Sequence, residues 1–175
     1  MIIPELETER LTMRGFREED LDELAAISAD PEVTRWVGDE NGLTREETWR
    51  RMAYFVGHWE LRGCGQWALV ERASGRLVGR AGLLRPEGWP GLEVGWLVAR
   101  EHWGHGFAPE AGRASMEWAR EELGADHIIS LIEDSNDRSA RVAEKLGMTV
   151  EGRTRIVDGQ YEVRIFGTDL APSPA

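Results

Sequence analysis

The chain has 175 residues, with 32 acidic against 21 basic side chains and a formal net charge of -11. A chain of this length buries a core without staples, and its acidic field opposes a nucleic-acid backbone while suiting either a cationic partner such as an amine or plain solubility. The lone Cys64 excludes an internal disulfide, no Cys/His cluster has zinc spacing, and the apolar run of "MIIPELETERL" is too short for a signal peptide; a soluble, metal-free cytoplasmic protein, off the membrane, is expected.

The segment "RLTMRGF" alternates as a strand does, and "EEDLDELAAI" then brings Leu21, Leu24 and Ile27 to helical spacing. At 30–33, "DPEV" sets an acidic cap before a proline and predicts a short helical turn ahead of Gly38. The capping box "TREE" at 44–47 opens a helix to about Arg62, with Trp49, Met52, Ala53, Val56 and Trp59 as its apolar face. Residues 66–71 and 76–84 read as a hairpin turning through Ser74 and Gly75. "LEVGWLV" at 92–98 is a third strand, in which Gly95 suggests a bulge or a close backbone approach.

From Pro109 a helix presents Ala111, Ser115, Trp118 and Ala119, mostly small residues that let it lie close to a sheet, and it ends near Gly124. "HIISLI" at 127–132 is a buried-strand run, "NDRSARVAEKLG" from Asn136 is a helix stopped by Gly147, and 149–157 with 161–168 form a closing hairpin. Residues 1–170 read as one domain without repeat or linker, and 171–175 as a disordered tail.

Between the third strand and its helix lies "WGHGFAPEA", 103–111. A strand that passes through Gly-x-Gly into a helix leaves backbone N–H groups free at the positive end of the helix dipole. Glycines let a bulky diphosphate approach the main chain, and Pro109 lacks only an N–H that the first helical turn never uses. The same pattern also serves as a plain tight turn. A dinucleotide fingerprint would want a third glycine where Pro109 stands, and a P-loop would want Gly-Lys-Ser/Thr; neither is present.

The turn is similar to that of the GNAT superfamily of acetyl-CoA-dependent N-acetyltransferases, in which Gln/Arg-x-x-Gly-x-Gly/Ala cradles the coenzyme A diphosphate. Here it comprises Trp103, Gly104, His105, Gly106, Phe107 and Ala108, with Trp103 departing from Gln or Arg at the first position. Main-chain N–H groups carry the contact, so the departure need not abolish it. The form "WGxGFAxEA", together with "LETERLTMRGFREEDLDEL", "LEVGWLV" and "NDRSARVAEKLGM" in the same order, resembles the branch that acetylates ribosomal-protein N-termini, over essentially the whole chain.

The resemblance implies an α+β fold: a bent, mostly antiparallel mixed sheet flanked by helices, with its fourth and fifth strands, here 92–98 and 127–132, splayed by a bulge. It implies acetyl-CoA in the splay, its pantetheine amides pairing with backbone near Leu97 and Val98, and Asn136 contacting the pantetheine arm. The implied reaction moves an acetyl group to a primary amine, a protein N-terminus or a small amine, by direct attack in a ternary complex. A monomer or homodimer is expected. Neither Cys64 nor any serine sits in a nucleophile motif, in keeping with direct attack.

Such attack needs a neutral amine, a polarised carbonyl and a protonated leaving thiol. A backbone N–H near Trp96 or Leu97 would polarise the carbonyl. Many relatives protonate the thiolate with a tyrosine seven residues after the helix-starting asparagine, where this chain has Ala143. Asn136, Ser139 and Ala143 share a helical face, so Ser139 is the nearest hydroxyl; it either protonates the thiolate or only bonds the coenzyme while water does so. Glu93 is the candidate base, against the alternative of a solvated or ion-paired carboxylate. Asp39 and Glu40, in a loop that borders the acceptor site in relatives, are further candidates for base or cation docking, and Trp36 lies in the same stretch. His102 and His105 flank the turn as phosphate neighbours.

An α-amine of pKa about 7.7–8.0 is on the order of a tenth deprotonated at pH 7, whereas a lysine amine near 10.4 is not, so the want of an obvious base favours an α-amine acceptor. The rival reading is a non-catalytic coenzyme A-binding module, kept open by Ala143 and by that uncertain base.

Overall fold

The computed structural model describes residues 2–37, 40–157 and 159–170. Among them are eight strands: β1 (Leu6–Glu7), β2 (Leu11–Arg14), β3 (Gln66–Glu71), β4 (Leu77–Leu84), β5 (Glu93–Val98), β6 (His127–Ile132), β7 (Thr149–Ile156) and β8 (Tyr161–Asp169). They form one sheet in the order β1-β2-β3-β4-β5-β6-β8-β7, antiparallel throughout except between β5 and β6. Five helices flank it: α1 (Leu21–Ser28), α2 (Pro31–Thr34), α3 (Arg45–Arg62), α4 (Phe107–Leu123) and α5 (Asp137–Lys145). This is the expected α+β architecture. Because the short β1 precedes the first predicted strand, the splayed pair is the fifth and sixth of the chain.

The splay is visible in the register. Among the described residues β5 and β6 share a single partner pair, Glu93↔Ile129, beside an Ile129 N–H that donates to the Leu92 carbonyl at 2.9 Å. Beyond it the strands part. No bulge at Gly95 produces this: β5 pairs with β4 without interruption from Gly79↔Val98 to Leu84↔Glu93, and the register shifts fall instead between Leu69 and Val70, where β3 meets β4, and between Val150 and Gly152, where β7 meets β8. Gly95 lies opposite Gly82, and a side chain there would begin 3.9 Å from both Gln66 Nε2 and Glu93 Oε1. Neither reading of that glycine, bulge or close backbone approach, is met: both neighbours are side-chain atoms at ordinary contact distance.

Local signals account for the helix ends. Thr44 and Glu47 form the reciprocal capping box of α3, and Gly63, at φ 71°, closes it. The Asp30 side chain accepts from the Glu32 N–H at 2.9 Å and caps α2. The buried face of α3 differs from expectation. Met52 and Trp59 are buried, but with Thr48 and Phe55, while Trp49, Ala53 and Val56 are exposed. The line 48-52-55-59 and the line 49-53-56 are both helical repeats about 100° apart, and only packing against α1 and the sheet chooses between them.

Helix α4 begins at Phe107, two residues before the expected start, because Gly106 at φ 85° already serves as its N-cap. Its small residues Ala111, Gly112, Ser115 and Ala119 are buried, and Trp118 packs edge-on against Trp59 and Trp67 at 5.4 Å each, within the main core. The expected tail, 171–175, lies outside the described residues.

Candidate functional site

Gly104 and Gly106 take φ of 81° and 85°, a region that strains any residue with a Cβ, so the turn depends on both glycines. The first helical bond runs from the Glu110 N–H to the Gly106 carbonyl at 3.2 Å, so the N–H groups of Phe107 and Ala108 precede any intrahelical acceptor. A Cβ on Gly104 would meet nothing within 4 Å, so the turn is open on that side.

Glu110 would place a negative charge beside this anion-seeking terminus, but the chain's N-terminal segment takes it up. The carboxylate accepts from Thr8 Oγ1 at 2.6 Å, from the Arg10 N–H at 2.9 Å and from Arg10 Nε at 2.7 Å. Burial alone would raise its pKa; these donors and the Arg10 charge outweigh burial and hold it below the usual range. Arg10 also donates from Nη1 to the His105 carbonyl at 2.6 Å and lies over the Phe107 ring. The turn is thereby pinned from strand β2's side.

A cavity of about 680 Å³ opens from this turn along the splay. It brings together Glu93, Leu97, Val98, Trp103, Gly104, Gly106, Phe107, Ala108, Asn136 and Ser139, with His102 and Trp36 also on its wall. His105 is not among the lining residues; its carbonyl faces Arg10. Asp39 lies outside the described residues, and Glu40 bears on the site through Glu133, whose carboxyl is raised by burial and by the Glu40 charge. Ala143 is fully buried in the core, whereas Ser139 is half-buried on the cavity wall. Asn136 accepts from the Ser139 N–H at 3.1 Å, capping α5; its Oδ1 is committed there, so Nδ2 is the atom suited to a ligand carbonyl.

Glu93 shares the cavity face of β5 with Gly95 and Leu97, while Val94, on the opposite face, is fully buried. Its side chain is part-buried. It accepts from Trp89 Nε1 at 2.6 Å and from the Leu131 N–H at 3.4 Å, a bond that reaches across from β6. Burial pushes its pKa up, against those two donors and the charge of Arg80, to about 7. The buried Arg80 donates from Nη1 to Gln66 Oε1 at 2.9 Å and stacks over Phe55. Tyr54 is raised by burial and then by the Glu93 charge.

Trp89, Arg80 and Tyr54 were not legible as site residues. They come from three separated segments, and none sits in a motif. Arg138 lies within the "NDRSARV" stretch, which was its only signal; here it stacks on Trp103. Among the described residues no group of three or more His, Cys, Asp or Glu side chains is placed to hold a metal ion, and no helix is long and apolar enough to cross a membrane.

Comparison with known proteins gives this geometry its family. Residues 10–149 match the acetyltransferase (GNAT) domain. The chain is 30% identical over 151 residues to the uncharacterized protein YkkB of Bacillus subtilis, covering 82% of this chain and 84% of that one. It is 28% identical over 155 residues to the uncharacterized N-acetyltransferase YoaA of the same organism, covering 88% of each. The crystal structure of an acetyltransferase from Agrobacterium tumefaciens superposes with a TM-score of 0.84 at 29% identity, over 96% of this chain and 95% of that one. The chain belongs to the GNAT family of acetyltransferases, enzymes that use acetyl-CoA as cosubstrate.

Proposed function

We propose that this enzyme transfers the acetyl group of acetyl-CoA directly to a primary amine, with Glu93 as general base. The carrying observation is a carboxyl of pKa about 7 at the closed end of the splay, where β5 and β6 begin to part, in the same cavity as the glycine turn. From Glu93 to Val98 the strand rises about 17 Å, a length that an extended pantetheine arm can follow from a diphosphate at Gly104, Gly106, Phe107 and Ala108. Past Glu93 the β5 edge has no ladder partner in β6, which leaves backbone groups near Leu97 and Val98 for the pantetheine amides.

In the reaction the amine lone pair attacks the thioester carbonyl carbon, the C–S bond breaks, and the proton leaving nitrogen passes to Glu93. Ser139, or water beside it, returns a proton to the thiolate. A base with pKa about 7 is close to half ionised at neutral pH, the balance that general-base catalysis favours.

With Glu93 as base, an α-amine acceptor is no longer favoured over other primary amines. The acceptor is a protein N-terminus or a small amine. A thiol-release assay with acetyl-CoA across alanine- and serine-terminated peptides, polyamines and aminoglycosides, with calorimetric binding alongside, tests the reading. Release with one acceptor class supports it. Tight binding without release across every class favours the non-catalytic alternative, and no binding removes the turn from the site.

A further inference from the structure

The acetyl-CoA reading above leaves one electrostatic question. A coenzyme carrying several phosphate charges must enter a protein of net charge -11, whose overall field repels it. Main-chain N–H groups of the glycine turn offer partial charges only, and the residue directly before Gly104 is the neutral Trp103. A full positive charge near the turn has to come from elsewhere.

Trp103 is held firmly. Its indole N–H donates to the Val98 carbonyl at 2.8 Å, and the ring packs against both hydrophobic clusters of the core. The guanidinium carbon of Arg138, in the first turn of α5, sits 3.6 Å from the centroid of that ring. Stacking on an indole face orients an arginine while leaving the N–H groups at its edge for a planar, bidentate anion contact. The other interaction of Arg138 is with Glu32 Oε2 at 3.9 Å, between two exposed side chains, a contact worth little and readily exchanged.

The neighbouring cations are less suited. Arg10 is engaged with Glu110 and the His105 carbonyl. Arg141 donates from Nε back to the Asp137 carbonyl of its own helix. Lys145 lies seven residues beyond Arg138, about 10 Å further along α5. His102 packs its ring against Phe107.

We infer that Arg138, oriented by Trp103, is the side-chain ligand of the coenzyme diphosphate in this chain. On binding it exchanges the Glu32 contact for the phosphate oxygens.

Calorimetric affinities for three probes test this in wild type, Arg138→Gln and Trp103→Leu: acetyl-CoA, acetyl-dephospho-CoA, which lacks the 3′-phosphate, and acetyl-pantetheine, which lacks the diphosphate as well. Arg138→Gln is expected to weaken both diphosphate-bearing probes at least about tenfold and to leave acetyl-pantetheine within about twofold. Trp103→Leu, which removes the platform, should show the same phosphate-dependent loss, non-additive with Arg138→Gln. Unchanged or tighter acetyl-CoA binding in a folded Arg138→Gln variant would overturn the inference. So would an equal loss for acetyl-pantetheine, or a loss seen with acetyl-CoA but absent with acetyl-dephospho-CoA. Failure of the wild type itself to bind acetyl-CoA is a separate result, and it would overturn the underlying functional reading.

Discussion

Trp89 Nε1 donates to Glu93 Oε2 at 2.6 Å, so an indole from the loop before β5 opposes the burial that drives this carboxyl upward. The balance comes to about 7. If Glu93 is the general base it must be ionised, so kcat/KM should rise with pH through about 7 and then level. Trp89→Phe removes a bond to the ionised form, so the inflection should move to higher pH. Glu93→Gln should abolish the inflection and lower the rate by about 10²–10⁴-fold. A pH–rate profile that keeps its inflection in Glu93→Gln would exclude Glu93 as the base.

Ser139 lies on the cavity wall one helical turn from its cap, Asn136. If its hydroxyl protonates the leaving thiolate, Ser139→Ala lowers kcat more than it raises KM for acetyl-CoA. Steady-state kinetics with a good acceptor decide it, and the opposite pattern makes Ser139 a coenzyme contact.

Gly104 and Gly106 both need positive φ, but only at Gly106 would a Cβ find a neighbour, Arg10 Nη2 at 3.2 Å. Gly104→Ala should cost about 1–2 kcal/mol of stability through backbone strain alone. Gly106→Glu should in addition weaken acetyl-CoA binding, since it adds bulk and negative charge at the turn. Thermal melts and calorimetry separate the two effects; unchanged affinity in a folded Gly106→Glu protein would place the diphosphate elsewhere.

Glu110 ties the N-terminal segment to α4 through charge-assisted bonds. Its pKa is depressed in the folded state, so the folded protein binds fewer protons than the unfolded chain between the two values, and stability there rises with pH. This contribution is present above about 4.3 and is lost as pH falls through the folded value. Glu110→Gln should destabilise the protein by about 1–3 kcal/mol at neutral pH and flatten the acid limb of the stability curve, as measured by denaturant unfolding at several pH values.

Two histidines should carry pH dependence of opposite sign. His127 lies between Asp169, at 2.9 Å from Nδ1, and Glu151, at 3.1 Å from Nε2; the Asp169 bond chiefly raises its pKa. Its contribution is full below about 6.5 and is lost as pH rises through the raised folded value. His58 is buried, donates from Nδ1 to the Cys64 carbonyl at 2.7 Å and accepts from the Arg85 N–H at 3.0 Å, so it is held neutral. Burial lowers its pKa, and its contribution is full above about 6.5 and lost as pH falls toward the depressed value. Melting curves from pH 5 to 9 for His127→Gln and His58→Gln should each lose one of these slopes; the same change in both would contradict the assignment.

Nearest-neighbour chemistry made much of this protein readable from the sequence. The Thr44–Glu47 capping box, the Asp30 and Asn136 caps, the left-handed glycines at 63, 104, 106 and 147, and the period of each strand and helix all act within a few residues. The ordered motifs added the family, and with it the glycine turn. Tertiary structure decided what depends on residues far apart in the chain. It chose the 48-52-55-59 face of α3 over its apolar neighbour, because α1 and the sheet together supply the surface that buries it. It neutralised Glu110 through Arg10, 100 residues away, and set Arg138 on Trp103. Above all it set the pKa of Glu93: a carboxylate has no fixed pKa in a sequence, and the burial, the Trp89 indole, the Leu131 N–H and the Arg80 charge that bring it to about 7 meet only where β4, β5 and β6 lie side by side.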